Sequence, residues 1–288
     1  MRRPDLLAKY QTDKLVLLGL LVLGVLIARF IVYSRQTRPR RAAAALVRRI
    51  KEDGLGASMR DQPAGRFFLI TNIAGTQVGF TADTFDHSTA GTVRLNSYLY
   101  IKGRFGKEQL ARFEANDRLD YFAWTIKTLR PLPQAGTRTI IGKNNTAIFT
   151  GADRPSNPKK LNLKPNCLPE ALVDLFLVRM ARSGTPEVLL DVLQDDGTII
   201  PVRITALPGN EPNQGTRQLG IAVLDGSGMS RRVLLDRQGR LWKVILRKRK
   251  KLLYILESTT EQTIAALFPE RADYVLGRGK ELELEDVF

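Results

Sequence analysis

From Leu15 to Val32 the chain reads LVLLGLLVLGVLIARFIV, eighteen residues broken by one charge, Arg29. As a helix this run is about 27 Å long, close to the roughly 30 Å of a bilayer's hydrocarbon core. A helix apolar on every side has to be wrapped in protein or in lipid. The stretch is too long, and its flank too rich in arginine, for a cleaved signal peptide; the alanines at 42–45 come too late for a cleavage site. The expectation is an uncleaved single-pass anchor over 15–33, after a short flank at 1–14. Its markers are Leu15, Leu20, Val25, Arg29, Val32 and Tyr33. The stem of Arg29 reaches the headgroups, and Tyr33 sits at the interface.

Charge is sorted along the chain. The net charge is +16, and residues 1–60 carry thirteen Lys or Arg against four Asp or Glu, more than half of that excess. Residues 34–65 read as a basic juxtamembrane linker, broken at Pro39. Within it Ala42–Asp53 forms a helix with Ala43, Leu46, Val47 and Ile50 on one side. Two readings stand for its charges. Arg38, Arg40, Arg41, Arg48, Arg49 and Lys51 either contact anionic headgroups, each contributing about 1 kcal/mol, or form a solvated face. The flank before the span holds Arg2, Arg3, Lys9 and Lys14, and seven Lys or Arg follow it within about twenty residues. That count favours a cytoplasmic C-terminal region, but long domains translocate largely regardless of charge.

Residues 66–276 carry a β texture. Arg66–Ile73 and Gln77–Ala82 form a hairpin. Thr92–Lys102 alternates, with Val93, Leu95, Leu99 and Ile101 opposite Arg94, Asn96, Tyr98 and Tyr100; Ser97 is a polar intruder on the apolar side. Leu119–Ile126 alternates with both faces apolar. A helical turn is expected in Gly106–Asn116 and a loop-rich connector in Gly151–Pro165. A largely apolar helix spans Leu168–Arg182, with Pro169 in its first turn and Gly184 just past its end. Strands follow at Glu187–Leu193, Ile199–Leu207, Arg217–Leu224, Arg231–Leu235, Arg240–Leu246 and Leu252–Glu257. Thr259 and Gln262 fit a capping box for a helix ending before Pro269. An acidic tail occupies 277–288.

Strands in runs rather than alternating with helices indicate an α+β class: a transmembrane helix, then a mostly antiparallel, half-barrel-like sheet around a buried helix. A single sheet is favoured over two lobes at 66–150 and 166–276. A groove between sheet and helix would be lined by Phe80, Leu99, Phe122, Trp124, Leu172 and Phe176.

The order of these elements, with the hairpin IAGTQVGF (Ile73–Phe80) and the motif Gly-Arg-Leu-x-x-Val at Gly239–Val244, resembles bacterial envelope proteins of the outer-membrane lipoprotein-carrier type. The resemblance covers 66–268. It implies an extracytoplasmic domain on the inner membrane, with an apolar groove for a lipid or acyl chain. The chain departs from those carriers in keeping a helical anchor and in lacking a lipidation cysteine near its start.

Reactive groups are few. The chain has one cysteine, Cys167, and one histidine, His87, which excludes a disulfide framework and leaves little for metal or triad chemistry. No nucleophile elbow, H-E-x-x-H or phosphate loop is present. His87 reads as a loop residue, Cys167 as a packed thiol at a helix start, and Gly226–Ser230 and Asp195-Asp196-Gly197 as turns. The expectation is a non-enzymatic protein without cofactor. The run Arg247, Lys248, Arg249, Lys250 and Lys251 is the one functional-looking cluster in the domain. It reads as an exposed hairpin turn, as a contact for anionic lipid or an acidic partner, or as a nucleic-acid contact, the last disfavoured by the scarcity of aromatics around it. The partners expected are membrane lipids and envelope proteins. A ligand-free structural subunit of a membrane assembly is the alternative.

Overall fold

The computed structural model describes residues 5–60, 62–87, 91–103, 106–130, 135–151, 154–208 and 217–275, with side chains undescribed at 5–20, 28, 30–32, 35, 36, 87 and 154–156. A helix, α1 (Asp5–Asp53), leads into a short helix, α2 (Leu55–Met59). Eight strands follow: β1 (Gly65–Asn72), β2 (Gln77–His87), β3 (Thr92–Ile101), β4 (Lys107–Asn116), β5 (Tyr121–Arg130), β6 (Gly136–Lys143), β7 (Thr146–Gly151) and β8 (Arg154–Asn162). A three-residue strand, β9 (Cys167–Pro169), and a 3-10 turn open α3 (Val173–Ser183). Then come β10 (Glu187–Leu193), β11 (Ile199–Leu207), β12 (Arg217–Val223), β13 (Met229–Leu235), β14 (Leu241–Lys248) and β15 (Lys251–Thr259). The described chain closes with α4 (Glu261–Leu267) and α5 (Ala272–Val275).

All of these strands belong to one sheet. Its order runs from β8 down to β1, then from β15 down to β9, so that β1 and β15 pair at its middle. Every pairing is antiparallel except β9 with β10. The sheet curls until its two halves meet. Phe149 of β7 lies against Gly197 in the β10–β11 turn, and Gln109 of β4 and Arg138 of β6 donate to Asp195 in that turn.

The concave face holds α3, whose Phe176, Leu177 and Met180 are almost wholly buried. The helix stops where Gly184 takes φ +68, a left-handed conformation that costs glycine nothing. One of its orphan carbonyls finds an arginine: Arg217 donates to the Ala181 carbonyl. On the convex face α4 and α5 cover β1–β4, burying Phe80, Tyr98, Ile264 and Phe268 in a second, aromatic core. Glu108, 3% exposed, anchors that cover by accepting from Tyr98 Oη at 2.7 Å and from Arg271 at 3.0 Å. Burial and the Glu108 carboxylate push the Tyr98 phenol upward.

Several expectations change. Lys107–Asn116 is strand β4, not a helical turn. Its Glu, Ala and Leu favour a helix locally, but Leu110 packs outward and Phe113 inward while both edges pair with β3 and β5. The connector contains β8, an edge strand, where prolines 155 and 158 forfeit no needed bond. Strands β6 and β7 fill a stretch without an assigned element. Residues 168–172 are strand and 3-10 turn, and the cap of α4 is Thr260, accepting from Thr263 N–H, rather than Thr259.

The basic linker is also different. Residues 34–53 continue α1 without interruption through Pro39. The side carrying Ala43, Leu46, Val47 and Ile50 is buried in the main core, beside β10, so it is not free to lie on headgroups. No helix among the described residues is long and apolar enough to cross a membrane. The side chains of Leu15, Leu20 and Val32, and much of the expected span, lie outside the described residues, although its backbone is helical throughout. Seven consecutive residues, Leu21–Ile27, are described, and all are exposed, Leu21 by 62% and Val25 by 50%.

Candidate functional site

Between α3 and the concave sheet lies a cavity of about 530 Å³, within the roughly 300–1,000 Å³ usual for small-molecule sites. Strand alternation builds its walls. Phe68, Leu95, Phe113 and Trp124 project from β1, β3, β4 and β5. Val202, Ile221, Val233 and Val244 face them from β11–β14, and α3 contributes Val173 and Leu177. These walls would desolvate an apolar ligand, releasing about 25 cal/mol per Å² of apolar surface buried.

Two polar groups interrupt the walls. The first is inside. Arg66, 8% exposed, pairs with Asp83 at 3.2 Å and with Asp174 of α3 at 3.1 Å, and its guanidinium lies 4.6 Å from the Phe85 ring centre. Ser97 Oγ donates to Asp83 at 2.6 Å. Burial raises the Asp83 carboxyl pKa and the Asp174 charge adds to this, against the pull of Arg66 and Ser97. The second group lies at one end. There Glu170 accepts from Arg231 at 3.4 Å, and Asp195 accepts from Gln109 at 3.0 Å and from Arg138 at 3.3 Å, with Lys107 beside them. Burial raises the Glu170 carboxyl too, reinforced by Asp195.

The exposure of the lining shows where the cavity opens. Lys107, Glu170, Asp195, Ile200, Arg231 and Leu246 are part-exposed. Leu95, Phe113, Val233 and Leu241, nearer the other ends of their strands, are buried. The mouth is therefore at the end that carries the β3–β4, β10–β11, β12–β13 and β14–β15 turns.

Of the six residues expected to line a groove, the structure puts Leu99 and Trp124 on the cavity. Phe80 lies on the opposite face of the sheet, in the aromatic core beneath α4, because it shares the parity of Ala82 rather than that of Asp83. Phe122 and Phe176 are buried in the main core, Phe122 stacked on Phe113. Leu172 is 3% exposed in the same core, because α3 turns Val173, Asp174 and Leu177 to the cavity instead. Reading the sequence missed Arg66, Asp83, Lys107, Gln109, Glu170 and Arg231. One signal was available: Ser97 sits on an apolar face because it meets Asp83.

The remaining candidates are placed as follows. Cys167 begins β9, and burial, with Asp191 nearby, pushes its thiol up to about 12, so it is packed and weakly acidic. His87 ends β2, opposite Val93; its side chain lies outside the described residues. Among the described residues no group of three His, Cys, Asp or Glu is arranged to hold a metal. Arg40 pairs with the buried Asp191 at 3.4 Å, a site Lys164 shares at 3.5 Å, and Arg48 pairs with Glu52. Arg38, Arg41 and Arg49 are exposed, and Lys51 is half-buried. Arg247–Lys251 are all exposed at the β14–β15 hairpin, whose tip is Arg249-Lys250.

Comparison with solved structures fixes the architecture. The chain has the fold of a β-barrel-like protein. It is similar to the beta-barrel-like protein of the domain of unknown function DUF1849 from Brucella abortus, with a TM-score of 0.51 and 10% identity, over 68% of this chain and 95% of that one. At that identity the likeness shows the fold alone. The dehydratase domain from the CurK module of curacin polyketide synthase matches at a TM-score of 0.13 and 9% identity, over 73% of this chain and 81% of that one, and bears on nothing here. No family model matches the chain, and no curated protein matches it.

Proposed function

We propose that this protein is a single-pass, membrane-anchored module of the cell envelope that binds a single-chain amphiphile inside its β-barrel-like domain, without catalysing a reaction. The observation that carries the reading is the cavity: largely apolar walls, whose one internal charged cluster is paired within itself, and a charged mouth, an arrangement matched to an acyl tail with a polar head. The tail lies against Leu95, Phe113, Trp124 and Leu177. An anionic head meets Lys107 and Arg231, within reach of water at the mouth.

The anchor is supported by the apolar run at 15–33 and by the bare Leu21–Ile27 segment of α1. Water would have to solvate that segment on all sides, whereas a bilayer covers it without cost. On this reading the domain faces the extracytoplasmic side of the inner membrane, as the resemblance to lipoprotein carriers implies. The unbroken helix through Pro39 makes it a fixed module rather than a shuttle.

The test is organic extraction and mass spectrometry of the full-length protein purified in detergent, compared with Ala111→Trp, which fills the cavity from β4. The expected result is an amphiphile at near-stoichiometric level, lost from the variant while its far-UV circular dichroism is retained. An equal lipid content in both proteins would overturn the reading. So would empty wild-type protein that also fails to take up a fluorescent fatty acid.

A further inference from the structure

We infer that the β14–β15 hairpin is a docking surface for an anionic bilayer, and that it holds the cavity mouth against the headgroups. The inference rests on the anchored reading of α1, and it goes further by fixing which end of the barrel meets the membrane.

The direction of α1 settles that end. Its C-terminus lies at the closed end of the cavity: Asp53 pairs with Arg179, and Leu55 N–H donates to Asp117 in the β4–β5 turn at 2.8 Å. Thirteen residues earlier Arg40 has reached Asp191, two residues from the far end of β10. The helix therefore runs antiparallel to β10, and its N-terminal half leaves the domain at the mouth end. Sheet register carries that level across to the hairpin. Asp191 is opposite Pro201, the Pro201 carbonyl accepts from Leu224 N–H, and the Gly228 carbonyl accepts from Arg249 N–H. The basic tip, the cavity mouth and the departing helix thus share one end.

The chemistry of that end suits a headgroup layer. Arg247–Lys251 present five consecutive cations to solvent. The tip residues Arg249 and Lys250 hold φ +48 and +69, a two-residue hairpin geometry that Asn-Gly adopts without strain. Charge is retained there in spite of the backbone. The neighbouring carboxylates are committed elsewhere: Asp225 accepts from Ser227 N–H, Asp196 from Thr198, and Asp195 from Gln109 and Arg138. Two apolar side chains stand out beside the cations, Ile73 in the β1–β2 turn (71% exposed) and Leu224 after β12 (43%). Cations flanking isolated apolar tips match phosphate and the acyl boundary beneath it. With the mouth against the bilayer, an amphiphile passes between membrane and cavity without its tail crossing water.

The test uses the full-length protein in vesicles with single fluorescent labels. Cys167 is buried, so Lys250→Cys and Asn144→Cys can be labelled selectively; Asn144 lies in the β6–β7 turn at the opposite end. The vesicles are phosphatidylcholine with or without phosphatidylglycerol, and the quencher is a spin label on the lipid headgroup. The expected result is quenching at 250 several-fold stronger than at 144 in anionic vesicles. That excess should fall with added salt, and in a variant carrying Arg247→Gln, Lys248→Gln and Lys251→Gln. Equal quenching at the two sites in protein that floats with the vesicles overturns the docking and leaves the anchor standing. Protein that does not float overturns both. Release of the 250 label by RNA in preference to anionic vesicles assigns the hairpin to nucleic acid and also overturns the proposal.

Discussion

Replacing Gly226, Gly142 and Gly197 one at a time by alanine separates two costs that the curled sheet imposes. Gly226 takes φ +81 in an open turn with nothing within 4 Å of a Cβ, so alanine pays only for the left-handed backbone, roughly 1–2 kcal/mol. Gly142 of β6 has no such φ, but a Cβ there would overlap the ring of Phe122, which is 3% exposed and cannot swing away. Overpacking of that kind costs about 1–3 kcal/mol. Gly197 combines both: φ +74, and a Cβ 2.5 Å from the Phe149 ring across the seam where the sheet closes. Its substitution should cost about 2–5 kcal/mol, the two costs together. Thermal unfolding of the full-length protein in detergent reads the difference, at about 2–4 °C per kcal/mol for a domain of this size. The expected order of midpoint loss is Gly197→Ala greater than Gly226→Ala, with Gly142→Ala intermediate or comparable to the first. If Gly197→Ala falls no further than Gly226→Ala, Phe149 is not packed on that turn and the sheet does not curl shut.

Three further outcomes follow from the same geometry. Fatty acids of increasing length should bind more tightly by about 0.8 kcal/mol per methylene, roughly fifteen-fold for every two, until the cavity is full; an affinity independent of length in a displacement titration refutes an acyl site. Asp83 titrates above its ordinary value of 3.8 in the folded protein. A raised carboxyl adds stability below its unfolded pKa and loses it as pH climbs through the folded one. The midpoint of Asp83→Asn relative to wild type should therefore improve with rising pH over that acid window, and a difference that worsens contradicts the burial. Cys167, with its thiol pushed up to about 12 from 9.0, should hold about a thousand-fold less thiolate at neutral pH than an ordinary cysteine. Ellman's reagent should then react only on unfolding, and fast labelling of the native protein would contradict its packing.

Much of the fold was legible because strands advertise themselves by period two. Glu187–Leu193 and Ile199–Leu207 were read to the residue, and the apolar helix around Leu177 announced a concave partner. The misses have physical causes. KEQLARFEAN has helix-forming residues throughout, and only its pairing with β3 and β5 makes it a strand. Ala43, Leu46, Val47 and Ile50 gave an amphipathic helix correctly, but a sequence does not say whether protein or lipid covers the apolar side; here β10 and the core do. The site was half legible. Alternation put Leu99 and Trp124 on one surface, yet it could not say that Phe80 faces away beneath α4, a helix some 180 residues later. Arg66 and Asp83 looked like ordinary polar residues at strand positions, and only the pairing of β1 with β2 brings them together inside the barrel.

The occupancy of the barrel is measured most directly by its own tryptophan. Trp124 lines the cavity, and the only other tryptophan, Trp242 of β14, does not. In Trp242→Phe protein, a fatty acid brominated on its chain should quench the Trp124 emission with saturation at one equivalent, while Trp124→Phe protein stays unquenched. Unchanged emission from Trp124 at saturating fatty acid, or equal quenching of both variants, would mean that the interior of the barrel takes no acyl chain.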